Sequence, residues 1–429
     1  MTGVSTLDYD FALLDFDDDS ESGRARRTGF LQAVQFGFHE GRISEEHEKT
    51  WLEHVAADDV ECRGVWLPED AYGASAIPVA TTAWFDKTVN CGREHLPLRM
   101  VTDVTTSPTH RRRGLVRRLM EECLDDAAAA GLPLAALTVS EATIYGRWGY
   151  GAATFTTDVE VDSGPRFGLR DFTDPGRVEL VDPRTSWDLI RSAIDRFGHR
   201  HRGSVGLPQF YEALLTGRWN FRERGEDKQL RAAVHLTADE TVDGLVLYKQ
   251  DGRDEQEQRK ITVSVLLADS PQGYLGLWQF LAGIDLVRSL HYDTFAGEDP
   301  LQWALRDINA LKIKGVHEFL WVRVIDLPRA FAARPWAADD EVVLDVTDPQ
   351  GHVAGRWLVR TRDGVAQVDL TDRDPDLALD AETLGSLYLS GVMIGTLHGA
   401  GRITGTTDAA RRFAAMADLP DEPYNIIGF

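Results

Sequence analysis

One segment constrains the fold of this 429-residue chain more than any other, the run Thr109-His-Arg-Arg-Arg-Gly114 between a strand pattern and a helix pattern. After Gly114, apolar residues recur at three- and four-residue spacing until Gly131 and Pro133, which predicts a helix with one buried stripe. The largely apolar Leu134–Val139 then predicts a short strand inside a sheet. This order of elements indicates a mixed α/β fold.

Five arginines lie within eight positions at this junction, although the formal net charge of the chain is −23. They are Arg111, Arg112, Arg113, Arg117 and Arg118. The start of a helix presents free N–H groups and the positive end of its dipole, so it favours an anion. Glycine lets the backbone approach closely, and guanidinium groups add charge-assisted bonds to phosphate oxygens. The pattern predicts a site for a cofactor with a pyrophosphate; the alternative is a solvated helix face or a basic localisation run.

Further elements are predicted around this junction in the first third of the chain. Aromatic and aliphatic spacing predicts helices at Phe30–Phe38 and Glu45–Val55. Strand patterns occur at Pro78–Phe85 and Leu98–Thr105, and a last alternating strand, Ala152–Val161, follows a glycine-rich aromatic turn.

A boundary segment, a middle third and a last third complete the chain. The segment Pro165–Arg177 is rich in Pro, Gly and charge and predicts a boundary. In the middle third, the strand Ile261–Leu267 precedes a helix from about Gly273 with no arginine between them, so a second copy of the first fold would lack the cofactor site. The last third is expected to begin with the strand Phe319–Ile325 and to continue as an antiparallel sheet.

Composition narrows the class of protein. A hydrophobic content of 43% and a charged content of 27% are typical of a soluble globular chain, here long enough for two or three domains. Three widely spaced cysteines argue against a disulfide framework and against structural zinc. No signal peptide or membrane span is predicted, so a cytoplasmic location without membrane partners is expected. An acidic surface repels nucleic acid and attracts cations, although it also serves solubility alone.

Several stretches of this sequence resemble a known family. The pattern Arg111-x-x-Gly114-x-Val116 resembles the acetyl-CoA loop of GNAT-superfamily N-acetyltransferases, which usually have Gly or Ala where this chain has Val116. The wider match is to the enhanced-intracellular-survival (Eis) family. It is carried by Ser107–Leu115, Leu137–Glu141, Ile144–Gly151, Leu320–Arg329, Leu384–Leu389 and the terminal phenylalanine.

The resemblance implies an α/β (α+β) architecture of three domains and an acyltransferase activity. The implied domains are a GNAT catalytic domain at 1–165, a degenerate GNAT-like domain at 166–305 and a sterol-carrier-protein-like domain at 306–429. It also implies self-association as a homohexamer and acetyl-CoA as the co-substrate, without a metal.

The resemblance further implies roles for individual residues. Strand backbone at Val104, Thr105 and Thr106 would meet the pantetheine arm. The phosphates would be held by the loop and first helical turn, namely Arg112, Arg113, Gly114, Leu115, Val116 and Arg117, and the far side would be lined by Ser140 and Glu141. Tyr145 would be the proton donor and the α-carboxylate of Phe429 the proton acceptor.

Both implied catalytic roles are chemically reasonable. A tyrosine hydroxyl near the sulfur can protonate the departing CoA thiolate, and Tyr150 is the rival donor. A terminal carboxyl has an unperturbed pKa of roughly 3.3–3.7, so it is a weak base and anchoring an ammonium is much of its expected work. Direct transfer in a ternary complex is expected, without an acyl-enzyme.

The family acetylates amines of polycationic molecules such as aminoglycosides, and also lysine side chains. The alternatives here are a protein-lysine or polyamine acetyltransferase, and a lipid-binding role for the C-terminal domain in place of seating the chain terminus. Family members often carry an acidic residue where this chain has Gly428, which bears on regioselectivity. The candidates for the acceptor pocket are Phe36, Phe38, Glu40, Trp51, Trp84 and Phe85, each of which also fits a core or surface role.

Overall fold

The structure is a computed structural model that describes residues 8–139, 143–221, 224–253 and 258–429. The strands are β1 Asp10–Leu13, β2 Glu61–Trp66, β3 Ala80–Asn90, β4 His95–Thr106, β5 Leu134–Thr138, β6 Gly151–Ala152, β7 Phe155–Asp162, β8 Arg177–Val181, β9 Arg231–Leu236, β10 Val242–Arg253, β11 Arg259–Ala268, β12 Val287–Phe295, β13 Leu311–Glu318, β14 Leu320–Val324, β15 Glu341–Thr347, β16 Gly355–Arg362, β17 Val365–Leu370, β18 Leu377–Asp380 and β19 Thr404–Gly405. The helices are α1 Glu21–Gly37, α2 Glu45–Ala57, α3 Leu115–Ala129, α4 Trp187–Arg200, α5 Phe210–Leu215, α6 Pro271–Ala282, α7 Leu301–Ala304, α8 Leu327–Ala333, α9 Ala381–Tyr388, α10 Ile394–Gly399 and α11 Thr407–Ala417.

These strands form three sheets. The first has the order β1-β2-β3-β4-β5-β14-β6 and the second has the order β13-β7-β12-β11-β10-β9-β8. Each of these two sheets has one parallel pair, β4 with β5 and β11 with β12, among antiparallel neighbours. The third sheet has the order β17-β16-β15-β18-β19. The expected mixed α/β architecture is confirmed, and the first two sheets share one topology.

The parallel pair of the first sheet is short and opens toward its carboxyl ends. Strands β4 and β5 pair only where Leu98–Met100 faces Leu134–Ala136. Beyond that point β4 carries a bulge, because Thr81 and Ala83 of β3 face Thr105 and Thr102, leaving one extra residue on β4. The bulge bends β4 away from β5 and leaves a gap between the two strands.

The second sheet has a helix at the corresponding place, but its start is closed. The Ser270 hydroxyl accepts a hydrogen bond from the Gly273 N–H, which caps the first turn of α6. Asp269 precedes it and accepts ion pairs from Arg196 and Arg200. A capped helix start beside a carboxylate does not favour an anion. The loss of a second cofactor site stays a prediction.

Three predicted features need correction. The strand β7, expected to end the first sheet, lies in the second sheet between β13 and β12. The strand β14, expected to open the C-terminal sheet, lies in the first sheet between β5 and β6. The third sheet is mixed, since β15 and β18 run parallel. Alternation of apolar residues shows that a strand has one buried face but not which sheet it joins, so the predicted domain limits at 165 and 305 stay a prediction.

Helix bounds differ from the sequence prediction mainly at α1. This helix begins at Glu21, where Ser20 accepts a hydrogen bond from the Gly23 N–H, and its first turns are too polar to show an apolar period. Helix α4 runs without interruption through Gly198 to Arg200. In the part of the chain that the structure describes, none of the helices is long and apolar enough to cross a membrane.

Candidate active site

The gap between β4 and β5 contains a cavity of about 210 Å³. Its walls come from the end of α1, the bulged end of β4, the end of β5, the loop after β5 and the last residue of the chain. The lining residues are Phe38, Val101, Thr102, Asp103, Val104, Leu137, Thr138, Val139, Tyr145 and Phe429. The two residues expected to carry proton transfer, Tyr145 and Phe429, therefore meet in one cavity.

The chain terminus is held in this cavity by hydroxyl groups from two domains. The Thr138 hydroxyl accepts a hydrogen bond from the Phe429 N–H at 3.1 Å and donates one to an oxygen of the Phe429 carboxylate at 2.5 Å. The Tyr211 hydroxyl accepts from the Gly428 N–H at 2.8 Å and donates to the Gly428 carbonyl at 3.0 Å. The Phe429 ring packs edge-on against Phe85, with 6.2 Å between centroids. These contacts fix the last two residues.

The preceding tail residues are buried and hydrogen-bonded as well. Asn425 is fully buried, and its side-chain amide donates to the Ile427 carbonyl at 2.8 Å and accepts from the Ile427 N–H at 3.2 Å. The Ser204 hydroxyl donates to the Tyr424 carbonyl at 2.8 Å. Since backbone groups on both sides of the tail are satisfied, the terminus is an integral part of the fold.

Tyr145 lies at the start of the aromatic turn and is only 6% exposed. Its ring centroid is 6.2 Å from that of Trp148 and 6.4 Å from that of Tyr150. Tyr150, the rival donor, is fully buried in the core and does not line the cavity. Burial raises the pKa of Tyr150 well above its usual range, so its proton is hard to remove. The geometry favours Tyr145 over Tyr150.

The start of α3 is open, unlike the start of α6. Gly114 adopts a left-handed φ of +79° at its N-cap, and no side chain caps the first turn. A Cβ atom at Gly114 would have no neighbouring atom within 4 Å, so there is space for a side chain. Glycine is favoured there because of its left-handed backbone conformation. The N–H groups of Leu115, Val116 and Arg117 thus face outward for an anion.

The arginines around this helix start differ in their partners. Arg113 donates to the Tyr9 hydroxyl at 3.0 Å, and Arg118 pairs with Glu122 and stacks on Phe11. Within the described ranges, Arg112 and Arg117 are exposed and form no ion pair. The exposed guanidinium groups and the uncapped turn fit the phosphates of a nucleotide.

The three β4 residues predicted to contact the pantetheine arm lie in different environments. Val104 lines the cavity, whereas the buried Thr105 shares a short hydrogen bond, 2.6 Å, with the Thr81 hydroxyl. Thr106 ends β4 just before the loop. Two further predicted residues, Ser140 and Glu141, lie outside the described residues. Their roles stay predictions.

The six predicted acceptor-pocket residues are scattered. Phe38 lines the cavity, Phe85 touches Phe429, and Phe36 is exposed beside Arg42. Glu40 pairs with Arg224 at 2.8 Å.

The two tryptophans of that set lie in hydrophobic cores. Trp51 stacks on Phe30, and Trp84 is 1% exposed between Arg63 and Arg99. The structure thus brings only Phe38 and Phe85 to the terminus, and the acceptor contacts of all six stay predictions.

Sequence reasoning missed Asp103, Thr138 and Tyr211. For Asp103 a signal existed, because a carboxylate lies in the second half of β4, where the other residues from Met100 to Thr106 are apolar or carry a hydroxyl. Thr138 and Tyr211 gave no local signal, since their partners are 291 and 217 positions away.

The thiol of Cys123 on α3 is buried. Burial raises the pKa of the Cys123 thiol to about 12, so it is not a ready nucleophile. In the described ranges, no group of three or more His, Cys, Asp or Glu side chains is arranged to hold a metal ion.

Family models match most of the chain. Two matches are described as acetyltransferase (GNAT) domains, at residues 61–153 and 211–324. A third is described as a sterol carrier protein domain, at residues 327–425. The first match contains the arginine-rich loop and the splayed strands.

Curated relatives and solved structures agree with these matches. The chain is 31% identical over 380 residues to an uncharacterized N-acetyltransferase of Streptomyces griseus, covering 87% of this chain and 88% of the relative. It is 30% identical over 357 residues to the N-acetyltransferase Eis of Mycobacterium tuberculosis, covering 81% and 83%. The fold resembles the crystal structure of Eis1 from Mycobacterium abscessus, with a TM-score of 0.80 at 24% identity over 98% of this chain and 100% of that one.

Proposed function

Because the chain belongs to the Eis family of GNAT N-acetyltransferases, we propose that it acetylates amines of polycationic small molecules of the aminoglycoside type. Acetyltransferases of the GNAT type use acetyl-CoA as the acetyl donor. The observation that carries the proposal is the meeting of Tyr145 and the chain terminus in one cavity, beside an uncapped helix start.

The residues at the helix start fit the phosphates of the donor. The first-turn N–H groups of α3 and the exposed Arg112 and Arg117 would bind the pyrophosphate, and Gly114 leaves room for it. The pantetheine arm would then follow the gap between β4 and β5 toward Tyr145. This direction puts the thioester in the cavity that the chain terminus enters.

The proposed chemistry is direct transfer. The acceptor nitrogen attacks the thioester carbonyl, the C–S bond breaks, and Tyr145 gives its proton to the departing sulfur. The carboxylate of Phe429 orients the acceptor ammonium and accepts its proton. The raised pKa of the buried Cys123 supports a path without an acyl-enzyme.

The net charge of −23 supports a polycationic acceptor, since a negative field raises the local concentration of cations. Polyamines and protein lysines carry the same amine chemistry and are the alternative acceptors. The core of the C-terminal domain is filled by the fully buried Phe331, Tyr388 and Phe413, which supports a seating role for that domain and not a lipid-binding one. Assembly as a homohexamer and a cytoplasmic location are further parts of this proposal.

A thiol-release assay tests the proposal. The enzyme and acetyl-CoA would be mixed with a panel of aminoglycosides, linear polyamines and lysine-rich peptides, with acetyl-CoA alone as the hydrolysis control. We expect release above the control with polycationic small molecules, and acetylated product by mass spectrometry. Release that never exceeds the control with any amine would refute the function.

A further inference from the structure

The cavity contains a second carboxylate that the proposed chemistry leaves unused. Asp103 lies on the β4 bulge and lines the same cavity as Tyr145 and Phe429. A carboxylate in the wall of a small cavity between two sheet strands is costly to desolvate unless a cation or a donor meets it.

The bulge holds Asp103 in a fixed and uncommon conformation. Its φ is +53°, in the left-handed region that only Gly, Asn and Asp visit readily. The Thr81 hydroxyl donates to the Asp103 carbonyl at 2.7 Å and shares a hydrogen bond with Thr105, so β3 fixes the bulge. Strained backbone of this kind is retained where neighbouring structure determines it, which is common in active sites.

Among the described residues, the Asp103 carboxylate has no counter-charge. Within the described part of the chain no ion pair or hydrogen bond reaches it. Asp103 is half-buried, and desolvation in the cavity wall raises its pKa to about 6. The ionisable groups that share the cavity are Tyr145 and the Phe429 terminus. From β2, the buried Cys62 lies near enough for the Asp103 charge to add to the effect of burial in raising the pKa of that thiol.

We propose that Asp103 receives the ammonium group of the acceptor and takes its proton before attack. This inference rests on the proposed acetyl transfer and adds a catalytic residue to it. A carboxyl whose pKa lies nearer the working pH is a better general base than an ordinary terminal carboxyl. Phe429 is then left chiefly to orient the acceptor.

With Asp103 as the base, all three protons of the acceptor ammonium are accounted for. The ammonium R–NH3⁺ gives one proton to Asp103, and the freed lone pair forms the C–N bond with the thioester carbonyl. When the C–S bond breaks, Tyr145 protonates the sulfur and regains a proton from the newly bonded nitrogen. The amide keeps the third, and Asp103 returns its proton to solvent.

The test variant is Asp103→Asn, which has the same shape and tolerates a left-handed backbone. Asp363→Asn is the matched control, because Asp363 is exposed in a hairpin of the third sheet with a φ of +52°. Each variant would be assayed with a primary alkylamine acceptor and with its β,β,β-trifluorinated analogue, whose amine is largely neutral at the assay pH. Binding of acetyl-CoA would be measured by calorimetry.

We expect Asp103→Asn to lower kcat/KM for the alkylamine by about 100-fold. The loss should be much smaller for the fluorinated amine, which needs no deprotonation, and acetyl-CoA affinity and the control variant should match wild type. Unchanged kcat/KM, or an equal loss for both amines, overturns the inference while leaving acetyl transfer intact. A wild-type protein inactive on every amine overturns the proposed function and this inference with it.

Discussion

The side-chain hydroxyl of Thr138 forms two hydrogen bonds with Phe429. It accepts one from the Phe429 N–H at 3.1 Å and donates one to an oxygen of the Phe429 carboxylate at 2.5 Å. Thr138 is the last residue of β5, so a central strand of the first sheet directly holds the end of the chain. The position of the terminal carboxyl is thereby tied to the strand that forms one wall of the cavity.

One glycine appended after Phe429 should strongly lower activity. The extension turns the carboxylate into a neutral peptide group but leaves both groups that bond Thr138, so the tail can still dock. We expect kcat/KM for the amine to fall by at least about 100-fold with unchanged acetyl-CoA affinity. Steady-state thiol release and calorimetry measure the two quantities, and a fully active extended enzyme would exclude the carboxylate from the reaction.

Tyr145→Phe should separate chemistry from binding. The ring keeps its contacts with Trp148 and Tyr150, while the acidic proton is lost. We expect kcat to fall by about 10² to 10⁴ with little change in the dissociation constant of acetyl-CoA. Tyr150→Phe is the control, because that hydroxyl is buried away from the cavity and should leave kcat within a few fold. The reverse ranking of the two variants would make Tyr150 the donor.

Gly114→Ala should weaken acetyl-CoA binding through the backbone. A methyl group there meets no atom within 4 Å, but the φ of +79° costs an L-residue roughly 1–2 kcal/mol. We expect a weaker dissociation constant by calorimetry and a small drop in melting temperature. Gly395→Ala is the control, since Gly395 lies inside α10 with equally open space and an ordinary φ. Equal affinities in both variants would contradict a binding role for the loop conformation.

The second domain should lose stability as pH rises through the pKa of His235. Burial alone would lower this pKa, but the hydrogen bonds and charges of Asp174 and Asp243 outweigh it and raise the pKa above the ordinary 6.5. Because the pKa is raised in the folded state, the contribution of protonated His235 to the free energy of unfolding is complete below pH 6.5. It disappears as pH rises through the folded-state pKa. Urea unfolding measured from below pH 6.5 to above the folded-state pKa of His235 should show a free energy of unfolding that falls with pH in the wild type. This fall should be absent in His235→Gln.

The control for that slope is His317→Gln. His317 is exposed on β13 of the same sheet, so its removal should leave the slope unchanged. A wild-type free energy of unfolding that rises between pH 6.5 and the higher pKa would show that the His235 cluster has the opposite sign.

The arginine loop could be predicted from sequence because its signal is local. Charge, glycine and apolar period are adjacent between Thr109 and Gly131, and α3 begins and ends within two residues of the prediction. The Thr138–Phe429 contact could not be predicted from spacing, because no local pattern encodes a bond between positions 291 apart. Family resemblance alone pointed to the terminus.

The sheets that β7 and β14 join could not be predicted from the sequence, for a different reason. Strand β7 alternates buried and half-buried residues only from Thr157 onward, and all five residues of β14 are buried. Such patterns state how much of a strand is covered and not which neighbour covers it. The sequence therefore predicted β14 within one residue at each end and began β7 three residues too early, and it assigned both strands to the wrong sheets.

The buried ion pair of Arg323 and Asp348 should be the most sensitive polar contact between the first sheet and the C-terminal domain. Arg323 lies on β14 and Asp348 just after β15, 2.6 Å apart, with side chains 0% and 1% exposed. Two other guanidinium nitrogens of Arg323 are buried without partners in the described structure. Removing the carboxylate would leave a buried charge uncompensated.

We therefore expect Asp348→Asn to lower the free energy of unfolding by about 3–5 kcal/mol. Asp369→Asn breaks the exposed pair with Arg360 and should cost under about 1 kcal/mol. Because Arg323 also packs against Gly149 in the turn that follows Tyr145, the first variant should lower kcat as well. Urea unfolding and steady-state assays at low temperature measure both effects. Equal stability of the two variants would mean that Arg323 finds another partner or water once Asp348 is neutral.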